Sequence, residues 1–121
     1  EADLRVAAAG AIACILHNGA GDAHRPLVLS ALIAGLSDED PHVRAAVAVA
    51  LGESGDAAAL PPLSAALQDP AWTVRAAAAS ALGALDHPDA VPALEAAVRD
   101  LDVAVARRAE AALQQARARL S

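Results

Sequence analysis

The chain has 121 residues, and its formal net charge of −6 comes from nine arginines, no lysine and fifteen acidic residues. Its longest apolar run, residues 6–16, is far shorter than the roughly 20 residues of a membrane-spanning helix, and no cationic leader is visible. The acidic balance is the reverse of the clustered positive charge that a nucleic-acid-binding surface requires.

Alanine dominates the hydrophobic fraction of the chain. Of the 121 residues, 37 are alanine, and Trp72 is the only aromatic side chain among Phe, Tyr and Trp. Alanine has the highest helix propensity, whereas the β-branched and aromatic residues that favour strands are sparse. The composition therefore predicts an all-α protein in which small core side chains let the helices approach closely.

A sequence repeat with a period of 31 residues organises the chain. Val-Arg-Ala-Ala occurs at 43–46 and again at 74–77, and a degraded copy follows at 105–108. The other positions in this register are Leu32, Leu63 and Leu94; Leu36, Leu67 and Val98; Asp38, Asp69 and Asp100; and Leu51, Leu82 and Leu113. A fixed period of this length is typical of stacked supersecondary units, so we predict one repeat domain over residues 1–121.

The first unit, residues 1–37, fits the register most loosely. Leu4-Arg5 matches Val43-Arg44, but eight extra residues separate it from the second helix, which we place at 26–36. The glycines and asparagine of residues 17–22 indicate that this excess is a loop.

The two middle units, residues 38–68 and 69–99, each predict a pair of helices. Apolar residues at i, i+4, i+7 and i+8 from Val43, and again from Val74, form one face of each first helix. Asp-Pro at 40–41 and at 69–70 predicts an N-cap followed by proline in the first turn. Gly52 and Gly83 follow the last periodic leucine and predict the C-terminal ends of these helices.

The last unit, residues 100–121, contains one predicted helix, roughly 103–120. Gln114 occupies the position of Gly52 and Gly83, so this helix should continue beyond the point where the others end. Four arginines and two glutamines lie on its polar side. A polar outer face is what the terminal repeat of a stack requires, and we interpret this helix as a cap rather than as a cationic binding patch.

These motifs resemble a known family. Asp69-Pro70-Ala71-Trp72-Thr73-Val74-Arg75-Ala76-Ala77, then Ala81-Leu82-Gly83 and Ala90-Val91-Pro92-Ala93-Leu94, are similar to HEAT repeats, in particular to the short type found in phycobilisome lyases and many bacterial proteins. The resemblance implies a right-handed α-solenoid of about 3.5 helical pairs. It also implies that the second helices line a concave face, which in this family mostly holds other proteins.

The resemblance assigns structural roles to a set of charged residues. The family's arginine falls on Arg44 and Arg75, and its acid falls on Asp38, Asp69 and Asp100. These residues are expected to form a ladder of ion pairs between neighbouring units, because a planar guanidinium can bind two carboxylate oxygens at once. Ala106 occupies the arginine position of the last unit, where the ladder should end.

The concave face would be lined by positions between the apolar residues of the second helices. In register these are Ile33, Ser64 and Glu95, and Ser37, Gln68 and Arg99. Such small side chains of mixed character suit a protein or peptide better than a phosphate or a metal. The simpler alternative for each position is a solvated helix face.

Catalytic and metal-binding patterns are poorly supported. No histidine has another His, Cys or acidic residue at i+3 or i+4 on a shared helix, as a helical metal site would need. The HEAT-like deoxyhypusine hydroxylases bind iron through His-Glu dipeptides. No histidine of this chain is followed by glutamate, because the residues after His17, His24, His42 and His87 are Asn, Arg, Val and Pro. Cys14 lies in an apolar run and should behave as a small hydrophobic residue. We therefore expect no catalytic residue, cofactor or metal.

The sequence favours a non-catalytic protein-binding or scaffolding module that uses the concave face. The alternative is an accessory or regulatory segment of a larger enzyme whose active site lies elsewhere. The chain starts at Glu1 without methionine, so we expect a fragment whose N-terminal edge meets missing repeats or a second copy. A single cysteine excludes an internal disulfide and favours the cytoplasm.

Overall fold

The computed structural model describes residues 25–55, 57–85 and 87–120. Its helices are α1 (Arg25–Gly35), α2 (Pro41–Ser54), α3 (Leu60–Ala66), α4 (Trp72–Ala84), α5 (Ala90–Ala97) and α6 (Val103–Leu120), with a short 3-10 helix at Ala57–Ala59 before α3. No strand occurs within these ranges. The prediction of an all-α fold is confirmed. The first helix of unit one and the loop at residues 17–22 lie outside the described residues.

The helices form a solenoid with two layers. The first helices of successive units, α2, α4 and α6, pack side by side and make the most extensive contacts in the described part of the molecule. Each second helix packs mainly on the first helix of the following unit, so α3 lies against α4, and α5 lies against α6. Neighbouring second helices barely touch, and grooves therefore separate them on the outer surface of their layer.

Leucines in register form the core between the layers. Leu51 and Leu82 of the first helices and Leu63 and Leu94 of the second helices are completely buried. Alanines, many of them on α4, fill the remaining space. Because a short helix such as α3 cannot be stable alone in water, each unit depends on the next for its stability. No described helix has the length and apolar character needed to span a membrane.

The prediction that α2 and α4 end at Gly52 and Gly83 was wrong. Both glycines lie inside these helices, where they allow close contact with the next first helix. A Cβ atom at Gly52 would lie 2.7 Å from the Cα atom of Ala81, and one at Gly83 would lie 2.6 Å from the Cβ atom of Ala112. The residue that ends α2 is Gly55, whose φ of 69° is left-handed and suits glycine.

The predicted N-cap is confirmed at Asp40 and was wrong at Asp69. The Asp40 side chain accepts a 2.8 Å hydrogen bond from the backbone N–H of His42. In contrast, α4 begins at Trp72, and its N-cap residue is Ala71, which has no side-chain acceptor. Asp69 is in register with Asp38, two residues before the cap, and it accepts a hydrogen bond from the N–H of Ala71. The cap position of the following unit is Asp102, which accepts a bond from Ala104.

Replacing Ala71 by aspartate should therefore stabilise the protein. Ala71 has φ and ψ of −87° and 124°, close to the −90° and 122° of Asp40, so an aspartate can cap α4 without backbone change. An N-cap acceptor is worth about 1 kcal/mol relative to alanine. We expect Ala71→Asp to raise the free energy of unfolding in urea by about this amount. Asp40→Ala is the matched control and should lower the free energy of unfolding by a similar amount. A change of the same sign in both variants would contradict the cap assignment.

Candidate functional site

Arg44 joins the second unit to the third through a forked ion pair. Its Nε donates to Oδ2 of Asp69 at 2.9 Å, and its Nη2 donates to Oδ1 at 3.1 Å. Nη1 donates to the backbone carbonyls of Asp38 and Glu39 at 2.8 and 3.2 Å. The hydrogen bond to Asp69 is the main reason that the pKa of Arg44 is raised above its usual value. Arg44 therefore stays charged and ties the start of its own helix to the next unit.

Arg75 makes the equivalent contact one unit further along, but with fewer bonds. Its Nε donates to Oδ2 of Asp100 at 2.9 Å, and its Nη1 donates to the carbonyls of Asp69 and Pro70 at 2.7 and 3.2 Å. No hydrogen bond from Nη2 of Arg75 occurs within the described residues. The guanidinium of Arg75 thus makes three of these hydrogen bonds, whereas that of Arg44 makes four.

The carboxylates of the ladder also organise the local backbone. Asp38, Asp69 and Asp100 each accept a hydrogen bond of 2.8–2.9 Å from the N–H two residues ahead. In the two ion pairs the side chains are only 12–20% exposed. A paired, partly buried carboxylate is costly to separate from its partner, so the pairs Arg44–Asp69 and Arg75–Asp100 help to hold neighbouring units together.

The six residues predicted to line the concave face differ in exposure. Ser37, Gln68, Glu95 and Arg99 are exposed, whereas Ile33 and Ser64 are half-buried. Glu95 forms a 3.0 Å ion pair with Nη2 of Arg117 on α6. Both partners are more than half exposed, and solvent screening leaves such a pair little net energy. It nevertheless places the predicted acid of this face beside α6.

Two further rows of residues on the second helices are exposed, and their exposure was not predicted from the sequence. They are Ala34, Ala65 and Ala96, and Ser30, Pro61 and Pro92. The 31-residue register marks both rows, but alanine gives no signal of exposure in a chain with 37 alanines. We call the surface formed by Ala34, Ala65, Ala96, Ser37, Gln68 and Arg99 the second-helix face.

Of the grooves that flank junctions between the described units, two lie on different layers of helices. One, of about 450 Å³, lies between the segments that follow α3 and α5 and includes Gln68 and Arg99. The other, of about 260 Å³, lies on the first helices and is bordered by Val49, Trp72 and Arg108. The larger groove is continuous with the second-helix face because both contain Gln68 and Arg99.

No group of three or more His, Cys, Asp and Glu residues is arranged for a metal ion in the described ranges. His42 is exposed, and Nδ1 of His87 accepts a 3.1 Å hydrogen bond from the N–H of Asp89. His17, His24 and Cys14 lie outside the described residues.

Comparison with known proteins agrees with this architecture. A family model of HEAT repeats matches residues 1–69 and 29–114. The chain is similar in structure to human deoxyhypusine hydroxylase in complex with glycerol, with a TM-score of 0.66 and 24% sequence identity. The match covers 94% of this chain and 45% of that chain, and at this identity it shows the fold alone. None of the curated proteins matches the sequence.

Proposed function

The chain belongs to the family of HEAT repeat proteins, and from this we propose that it is a non-catalytic interaction module. Its partner is another protein or peptide, held against the second-helix face. The chain spans less than half of the structurally similar human enzyme, so the activity of that enzyme is not carried over.

The observation that supports this proposal most is the repeated surface of the second helices. Small residues at Ala34, Ala65 and Ala96 are exposed at the same position of the second helices of three consecutive units. Side chains of this size leave room for a partner's side chains to enter the grooves beside them. Exposed Gln68 and Arg99 supply hydrogen-bond donors at the same register position, and a few polar groups around an apolar surface are typical of protein interfaces.

The proposal is tested by blocking the second-helix face with large side chains. We expect a variant with Ala65→Arg and Ala96→Arg to lose the proteins that the wild-type chain captures from an extract of its native host. Ala111→Arg is the matched control, because Ala111 is an exposed alanine on α6. All variants should keep the thermal stability of the wild type, since arginine is a good helix former. Capture that survives the double substitution, or that fails equally in the control, would contradict the proposal.

A second candidate is an accessory segment of a larger enzyme. It is favoured by the similarity to a hydroxylase of which the chain matches only 45%. An antibody against the chain should then detect a native polypeptide much larger than 12.0 kDa, and the activity of that polypeptide should respond to the Ala65→Arg and Ala96→Arg substitutions. A native polypeptide of the same mass as the chain would remove this candidate.

A further inference from the structure

The larger groove has an unusual combination of a free cation and an exposed leucine. It is lined in part by Gln68, Pro70, Arg75, Arg99 and Leu101. Leu101 is completely exposed, the most exposed of the large hydrophobic residues in the described part of the chain. Pro70 is also exposed. Covering a wholly exposed aliphatic side chain with a partner lowers the free energy of the system, because apolar surface is removed from water.

The charge around this groove is not balanced within the described residues. Asp69 pairs with Arg44, and Asp100 pairs with Arg75. Arg99 is exposed, and its side chain makes no ion pair or hydrogen bond among these residues; Nη2 of Arg75 makes no hydrogen bond there either. Because Arg44, outside the groove lining, pairs with Asp69, the groove keeps one cation, Arg99, that is unpaired in the described part of the chain, although the chain as a whole carries −6.

The register shows that this combination is particular to one junction. The residues equivalent to Arg99 are Gln68 and Ser37, and those equivalent to Leu101 are Pro70 and Glu39. Among the junctions that the structure describes, only the one after the third unit therefore combines a cation with a fully exposed leucine. The two preceding junctions have neutral or acidic residues in their place.

We propose that this groove binds a peptide segment of a partner protein in which an aspartate or glutamate stands beside an aliphatic residue. The carboxylate accepts hydrogen bonds from Arg99 and from Nη2 of Arg75, and the aliphatic side chain packs against Leu101 and Pro70. A single carboxylate fits the groove better than a phosphate, because Asp69 and Asp100 lie beside it and would repel a second negative charge. This inference rests on the proposed function, since Gln68 and Arg99 belong to the second-helix face.

The inference is tested by selecting a random peptide display library on the full chain. We expect the enriched peptides to contain Asp or Glu next to Leu, Ile or Val. One enriched peptide, synthesised with a fluorescent label, should bind Arg99→Gln at least tenfold more weakly than the wild type in fluorescence anisotropy. Glutamine is the residue of the neighbouring unit at this position, so the variant should fold normally. Leu101→Ser should weaken binding by a similar factor.

Replacing the acidic residue of the peptide by its amide provides a second control. This change should lower the affinity for the wild type by the same factor of ten and leave the affinity for Arg99→Gln almost unchanged, because the peptide carboxylate and Arg99 would act as one pair. Enriched peptides without acidic residues, or equal affinity for wild type and Arg99→Gln, would overturn the inference. If the enriched peptides contradict the groove in this way but still lose binding to the Ala65→Arg and Ala96→Arg variant, the proposed function stands without the inference. Peptides whose binding is unchanged by all of these variants would overturn the inference and the proposed function together. Sedimentation showing wild-type dimers and Arg99→Gln monomers would replace the peptide by a second copy of the chain.

Discussion

Replacing Leu63 by aspartate is expected to abolish the cooperative unfolding of the protein. Leu63 is completely buried in α3 and belongs to the core that joins the second helices to the first. The substitution removes roughly 2–3 kcal/mol of apolar burial and places a carboxylate where water cannot solvate it, which costs several kcal/mol more. The sum is comparable to the 5–15 kcal/mol of total stability of a typical domain.

Circular dichroism during heating measures this effect. The wild type should melt in one transition, whereas Leu63→Asp should lack a sharp transition and lose helical signal already at low temperature. Ala65→Asp is the matched control, because Ala65 is exposed two residues further along the same helix. It should melt within a few degrees of the wild type, given the small effect of most surface substitutions. Equal damage from both substitutions would contradict the assignment of the buried face.

The buried positions of the fold were predictable from the sequence because they repeat. Leu51 and Leu82, and Leu63 and Leu94, share a register of 31 residues and are all completely buried. The last helix was also predicted at residues 103–120, where the structure has it. Apolar periodicity encodes which side of a helix is buried, and this information is local to the helix.

The errors concern residues whose role depends on a neighbouring helix. Gly52 and Gly83 stand where a helix could end, and only the position of Ala81 and Ala112 explains why they are glycines. Asp69 precedes a proline, as Asp40 does, but its carboxylate is bound to Arg44 of the preceding unit. The exposure of Ala34, Ala65 and Ala96 was not predictable either, because the same residue type fills the core.

Replacing Gly83 by leucine is the second substitution with a large expected effect. A Cβ atom at this position would lie 2.6 Å from the Cβ atom and 3.1 Å from the Cα atom of Ala112, so the backbones of α4 and α6 would have to separate. Overpacking of this kind costs about 1–3 kcal/mol or more, and leucine gains at most about 1 kcal/mol of helix propensity over glycine. We expect Gly83→Leu to lower the free energy of unfolding by about 3 kcal/mol, measured by urea unfolding.

A double substitution separates crowding from other causes. Gly83→Ala should lower the free energy of unfolding by on the order of 1 kcal/mol, because the cost of crowding outweighs the gain in helix propensity. Adding Ala112→Gly moves the methyl group to the other helix and should recover part of that loss, whereas two independent sites would simply add their effects.

Gly55→Ala serves as the contrasting case. No atom lies within 4 Å of a Cβ there, but the left-handed φ of 69° strains an alanine. We therefore expect Gly55→Ala to lower the free energy of unfolding by roughly 1–2 kcal/mol. Adding Ala112→Gly should not change this contribution of Gly55→Ala. If Gly83→Ala instead stabilises the protein by the full helix propensity of alanine, then α4 and α6 do not approach as closely as this glycine requires. The solenoid would then be held together by its leucines and ion pairs, without the tight contact between first helices.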